Sequence, residues 1–253
     1  MDYFSFFLYA MILVAVIVFI SLYFINAGYG MFRSAHWGFS INNKLGWVLM
    51  EVPVAIILFL FWFFSDRRTL IVPCLFLLFM EIHYIHRAFI FPLKMRGKSK
   101  MPIGIMFMGI TFNLLNAFMQ GYWIFYLSPT ELYNNVWVQS PVFIIGTILF
   151  FTGLIINIDA DRRIRNLRLP GDSNHYLPHG GLFNYVTSAN YFGEIIEWTG
   201  FAIATWSMPG LVFAIWTFAN LVPRANAIYS KYNAEYADEI KRKKLRRVIP
   251  FIY

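Results

Sequence analysis

The chain has 253 residues, of which 59% are hydrophobic, 20% aromatic and 13% charged, with a formal net charge of +8. A soluble domain carries about 25% charged residues, so this composition excludes an ordinary water-soluble fold and indicates a polytopic membrane protein. The single cysteine, Cys74, excludes an internal disulfide or a thiolate zinc cluster, and no nucleic-acid-binding module accompanies the basic residues.

Seven apolar spans can be drawn, at roughly 4–26, 45–64, 70–91, 103–127, 142–158, 189–206 and 210–228. Each is near the ~20 residues that cross a bilayer as a helix. The first has no basic start and no convincing cleavage site, so it reads as a span and not as a signal peptide. Only Ser207, Met208 and Pro209 separate the sixth span from the seventh. There is no internal repeat. The predicted fold is all-α: one seven-helix membrane domain over residues 1–253. With the N-terminus outside, 18 of the 21 Lys and Arg residues fall on inner segments. The positive-inside rule therefore predicts an outer N-terminus and a cytoplasmic C-terminus. That rule serves a bacterial inner membrane and the endoplasmic reticulum alike. The basic tail from Lys231 to Arg247 suits anionic headgroups, and the apolar stretch Val248–Tyr253 is expected to dock on protein or membrane.

Polar residues recur within the spans. The second holds Glu51, followed by Val52-Pro53, and the third holds Glu81, His83, Tyr84, His86 and Arg87. Asn113, Asn116 and Gln120 lie in the fourth. Asn157, Asp159 and Asp161 end the fifth, and Asn220 and Arg224 lie in the seventh. Singly, each has a structural reading: the histidines and asparagines as interhelical hydrogen-bond partners, Arg87 as a side chain snorkelling to the interface. Together they predict a lined cavity open to the cytoplasm. The stretch from Asn157 to Glu197 is the centre of this pattern. It leaves an apolar helix, crosses a basic loop with Arg162, Arg163, Arg165 and Arg168, and returns carrying Asn190, Glu194 and Glu197. At spacings of four and three these share one helix face. The same carboxylates would also suit a solvated helix start. The arginines suit phosphate contacts or topology alone. GxSxG, HExxH, Walker and GxGxxG patterns are absent, and the five scattered histidines form no metal set.

These residues carry a family resemblance. The run Gly180–Trp198, GGLFNYVTSANYFGEIIEW, is long enough to be specific. Around it stand Asn157-Ile158-Asp159-Ala160-Asp161, Leu167-Arg168, Pro170-Gly171, Ala204-Thr205-Trp206-Ser207, Arg224-Ala225 and Ile249-Pro250-Phe251-Ile252. Upstream, Gly28-Tyr29-Gly30, Glu51 with Pro53, His83-Tyr84-Ile85-His86-Arg87, Arg96-Gly97 and Gln120-Gly121-Tyr122 also match. Over nearly its full length the chain resembles the steroid 5α-reductase family, the 3-oxo-5α-steroid 4-dehydrogenases.

The resemblance implies a seven-helix enzyme that reduces a carbon–carbon double bond conjugated to a ketone, with NADPH bound from the cytoplasmic side. It implies cofactor contacts at Asn157, Asp161, Arg168, Asn190, Glu194, Arg224 and Tyr232, assisted by Arg87 and Arg96. Tyr176 joins them across one extra residue in the preceding loop. Glu51 and Tyr84 match the pair that holds the substrate ketone, which places the ketone site within residues 1–130 and the cofactor site mainly within residues 140–253. As hydride reaches the β-carbon, charge builds on the ketone oxygen, and donors aimed there lower the barrier. Tyr84 offers a phenol and Glu51, as a neutral acid, a second donor. Tyr191, Trp198, Phe213 and Trp216 are expected to hold a flat apolar enone. Four positions depart from the family: Met50 for a glutamine, Asp159 and Ile228 for histidines, and Lys98 for an arginine. The expected partners are a steroid-like enone and membrane lipid, with no nucleic acid or metal, and the chain is expected to be a monomer. Two rivals stand beside this reading. One is a membrane methyltransferase of the isoprenylcysteine type, which would leave Glu51 and Tyr84 without a role. The other is a seven-helix transporter, which would place polar residues on both sides.

Overall fold

The structure, a computed structural model, describes every residue except Met1, Pro170 and Ser173. Pro170 of the Pro170-Gly171 match therefore lies outside the described residues. The chain divides into two compact units, one formed by residues 28–145 and the other by residues 1–27 with 146–253.

Unit 28–145 is held at one end by a short antiparallel ladder of β1 (Ser40–Asn42) and β2 (Lys100–Pro102), with Ile41 opposite Met101. The all-α expectation omits it. Each strand leads into a long helix: α2 (Asn43–Phe63), capped by the Asn42 side chain on the Lys44 amide, and α5 (Ile103–Tyr122). Between them lie α3 (Ile71–Ile85) and α4 (Phe91–Lys94), joined by a π-helical turn over His86–Ile90. A second π turn, Trp123–Leu127, ends α5. Its carbonyls would be orphaned in lipid. Arg67 takes them up, donating to the carbonyls of Ile124 at 3.2 Å, Tyr126 at 3.2 Å and Ser128 at 2.7 Å. This arginine thus closes a helix end.

Unit 1–27 with 146–253 contains α1 (Tyr3–Phe24), most of α6 (Pro141–Asn166), then α7 (Ala189–Thr205), α8 (Met208–Glu235) and α9 (Ala237–Lys243). Four glycines make α6 and α7 touch backbone to backbone. Gly146 and Gly153 are seven apart on α6, as are Gly193 and Gly200 on α7. A Cβ on Gly153 would stand 2.2 Å from the Glu197 nitrogen, and one on Gly200 2.3 Å from that of Phe150. Small residues on one stripe permit this approach in a membrane, where the hydrophobic effect does not drive helices together. Trp206, left-handed at φ 46°, turns the chain directly into α8, whose start Ser207 caps through the Gly210 amide. Trp216 on α8 donates to the Met11 carbonyl of α1 at 2.8 Å.

Among the described residues, six helices are long and apolar enough to cross a membrane: Tyr3–Phe24, Asn43–Phe63, Ile71–Lys94, Ile103–Leu127, Pro141–Asn166 and Met208–Glu235. The predicted sixth span is present as α7, but with 17 residues it is shorter than these. Two spans are longer than hydropathy indicates. The fifth continues past residue 158 to Asn166, so Arg162, Arg163 and Arg165 stand on a helix and not in a loop. Asp159 pairs with Arg162 and Arg163, three and four residues on, and such spacings stabilise a polar helix extension. The seventh continues from residue 228 to Glu235.

Candidate active site

In unit 28–145 a line of amides on α5 meets the two expected ketone ligands. Gly109, Asn113, Asn116 and Gln120 follow at steps of four, three and four, so they share a face. Gly109 admits Met50: a Cβ there would lie 2.2 Å from its sulfur. Asn113 Nδ2 donates to the Met50 carbonyl at 2.8 Å and to Glu51 Oε2 at 3.1 Å. Asn116 Nδ2 donates to Tyr84 Oη at 3.0 Å, and Gln120 donates to Asn116 Oδ1 at 3.3 Å. Glu51 and Tyr84 are both buried, as are the three amides. Because Tyr84 accepts from Asn116, its own proton is directed elsewhere. Sequence reasoning treats Asn113 and Asn116 as helix glue; their spacing shows that they share a face, and the fold joins that face to the acid and the phenol. Arg87 lies over the rings of Trp47 at 4.6 Å and Phe91 at 4.7 Å, and Arg96 is exposed after α4; both belong to this unit.

In the other unit, the end of α6 and the start of α7 bring three expected cofactor contacts together. Asn157 Nδ2 donates to the Asn190 carbonyl at 3.0 Å, and Asn190 Nδ2 donates to Asp161 Oδ1 at 3.3 Å. Asn157 is 1% exposed and Asp161 6%. Next along α7, Tyr191 accepts from Arg224 Nη2 at 2.8 Å, and the guanidinium also lies 5.1 Å from the tyrosine ring and donates to Asn220. Glu194 is half-buried on α7, one turn beyond Asn190. Arg168, Tyr176 and Tyr232 meet at a separate point of the unit, where the loop after α6 folds on α8. Tyr232 Oη donates to the Tyr176 carbonyl at 2.9 Å, Tyr176 Oη donates to Asp172 at 2.9 Å, and Arg168 Nε donates to the Asn174 carbonyl at 2.8 Å. His175 sits in this loop, where burial and then the charges of Arg168 and Lys231 push its imidazole down to about 4. The Asn174 amide and then the Tyr176 hydroxyl hold Asp172 below the usual carboxylate range.

The four expected substrate aromatics are less open than a pocket wall. Trp198 and Phe213 are buried with ring centroids 4.3 Å apart, Trp216 is buried beside them in sequence order on α8, and only Tyr191 is half-buried. The departure at Asp159 has a local partner: its Oδ2 accepts from Arg163 Nε at 2.6 Å. Gly180, at φ 79°, lets that guanidinium approach, because a Cβ there would stand 2.5 Å from Nη1. Among the described residues no group of three or more His, Cys, Asp or Glu side chains could hold a metal.

Comparison with known proteins settles the family. Residues 99–253 match the model of the 3-oxo-5-alpha-steroid 4-dehydrogenases. The chain is 39% identical over 230 residues to 3-oxo-5-alpha-steroid 4-dehydrogenase 1 of Homo sapiens, covering 90% of this chain and 87% of that one. The chain belongs to the 3-oxo-5-alpha-steroid 4-dehydrogenase family. Plant relatives are about as similar to this family member: Steroid 5-alpha-reductase DET2 of Arabidopsis thaliana is 37% identical over 241 residues, 92% of this chain and 90% of that one. The macaque enzyme, 3-oxo-5-alpha-steroid 4-dehydrogenase 1 of Macaca fascicularis, is 39% identical over 230 residues, 90% and 86%. The chain is accordingly an enzyme of the oxidoreductase class.

Proposed function

We propose that this steroid dehydrogenase family member reduces the C=C bond of a 3-oxo-Δ4-steroid, or of a similar flat lipophilic enone, with NADPH as reductant. The observation that carries the reading is the buried pairing of Glu51 and Tyr84 with Asn113 and Asn116, within a family whose members are named for this reaction. The amides hold the acid and the phenol in place, and a ketone oxygen that gains charge is stabilised by donors already oriented towards it. NADPH, when bound, supplies the hydride.

The residues of unit 1–27 with 146–253 suit such a cofactor. Asn157 Oδ1 and Ser188 Oγ are buried with no hydrogen-bond partner among the described residues. Buried acceptors of that kind call for donors, and the hydroxyls and amide or amine groups of a dinucleotide supply them. Asn157, Asp161, Asn190 and Glu194 would hold the cofactor's polar groups. Arg168, Arg224, Tyr176 and Tyr232 would meet its phosphates. Tyr191 is the proposed substrate contact among the aromatics, backed by Trp198, Phe213 and Trp216. In the membrane we assign seven crossings, counting α7, with the N-terminus outside and the cofactor site facing the cytoplasm. The charge distribution supports this orientation.

The test uses detergent-purified full chain. NADPH should bind, and the nicotinamide absorbance should fall on addition of testosterone or progesterone. Binding without oxidation would move the substrate to another enone. Absence of binding would overturn the cofactor assignment.

A further inference from the structure

Helix α7 carries Asn190 and Tyr191 in its first turn, yet its start is not capped in the usual way. The N-cap residue, Ser188, makes no side-chain cap bond, whereas Asp2, Asn42 and Ser207 cap α1, α2 and α8 with theirs. What holds the α7 start lies about 60 residues away in sequence. The Thr187 amide donates to the Arg246 carbonyl at 2.9 Å and the Ser188 amide to the Arg247 carbonyl at 3.1 Å. The Thr187 hydroxyl also donates to the Arg247 carbonyl, at 3.2 Å. In return the Arg246 amide donates to the Tyr185 carbonyl at 2.8 Å.

One side chain ties this strip to α8 by a hydrogen bond and a ring contact. Arg247 Nε donates to Asn226 Oδ1 on α8 at 2.7 Å, and its guanidinium lies 4.8 Å from the ring centroids of both Tyr229 and Tyr253. Tyr253 closes the loop, because its carbonyl accepts from the Val248 and Ile249 amides and its hydroxyl lies 3.2 Å from that of Tyr23 on α1. Val248, fully buried, packs in a cluster that includes Tyr191. A planar guanidinium held between two rings and one amide oxygen has a fixed orientation, which an ammonium on a flexible stem does not reproduce.

We infer that Arg247 is a positioning residue for the cofactor site. It fastens segment 246–253 to α8, and the edge of that segment sets the backbone of Thr187 and Ser188 and so the placement of Asn190 and Tyr191. The role in cofactor binding rests on the function proposed above; the role in holding the α7 start does not. Arg247 touches no proposed reacting group, so its loss should appear in the affinity for cofactor, and for substrate through Tyr191, and leave turnover with both saturating within about twofold.

Two readouts on the full chain in detergent test this. The first is the NADPH dissociation constant, followed by tryptophan fluorescence, for wild type, Arg247→Ala and Arg247→Lys. Both variants should bind about tenfold more weakly. If Arg247→Lys binds like wild type, charge alone suffices and the positioning role is overturned; wild-type affinity in Arg247→Ala overturns it equally. The second is amide hydrogen exchange, which should quicken at residues 187–191 in both variants without any cofactor. Unchanged exchange there overturns the inference. If wild type binds no NADPH, the cofactor assignment falls and the exchange result alone still decides whether Arg247 holds the α7 start. Should Arg247→Ala fail to fold, Asn226→Leu removes only the acceptor; faster exchange at 187–191 supports the role and unchanged exchange overturns it.

Discussion

Glu51 and Arg168 have separable duties in the proposed reaction, and substitution should separate them. Glu51→Gln keeps the shape and the Asn113 contact but changes the donor offered to a ketone. Losing such a donor outright costs about 10²–10³ in turnover, and exchanging a neutral carboxyl for the less acidic amide should cost part of that, so kcat should fall at least about tenfold while NADPH affinity stays within about twofold; equal loss of both would contradict a ketone role. Arg168→Ala should do the reverse, raising the NADPH constant about tenfold, or about 1.4 kcal/mol. An unchanged constant would return Arg168 to a purely topological role. His175 adds a pH dependence. Its folded value of about 4 lies below the ordinary 6.5. The unfolded chain therefore takes up a proton as pH falls through 6.5, which the folded loop refuses until about 4. Stability should fall across that window as the medium is acidified and be unaffected by this group above it. Thermal melts between pH 7 and 4.5 should show the decline, and His175→Gln should flatten part of it.

At the scale of elements, the glycine seam between α6 and α7 is the most demanding contact. Gly153→Val would drive three carbons toward the Glu197 backbone, where even a Cβ stands 2.2 Å away. Overpacking costs about 1–3 kcal/mol or more, and in a chain of this length each kcal/mol lowers Tm by about 2–4 °C. A melt unchanged within 2 °C would contradict so close an approach. This seam also shows what a single sequence reveals. The seven-residue spacing of Gly146 with Gly153, and of Gly193 with Gly200, is visible in the letters, but nothing in them says which helix is the partner. Hydropathy locates the spans and misses where two of them end, because it stops at the first charges while Asp159 and its arginines carry the helix onward to Asn166. The acid, the phenol and the amides are legible one by one. Their pairing is not, since Asn113 and Glu51 lie 62 positions apart. The strip from Arg246 onward is legible only as an apolar end, because its partners at 185–188 are distant in sequence.

For the whole molecule, the decisive property is orientation. In a Cys74→Ser background, a cysteine at Lys243 should react with a membrane-impermeant thiol reagent only from the cytoplasmic face, and one at Thr130 only from the outer face. Reversed labelling would overturn the assignment and with it the side from which cofactor reaches the protein.

The brevity of α7 bears on how the protein is made. Its 17 residues include Glu194 and Glu197, and each central carboxylate counts against recognition by an insertion machinery that reads apolar length. Alone, this segment is a poor candidate for a crossing. It is, however, fused to the 28-residue α8 through a turn of only Trp206 and Ser207. The two helices should therefore go into the bilayer together as a hairpin during synthesis, the second carrying the first. A nascent chain stalled with α7 emerged and α8 still in the ribosome should leave α7 accessible to protease, and release of α8 should bury both.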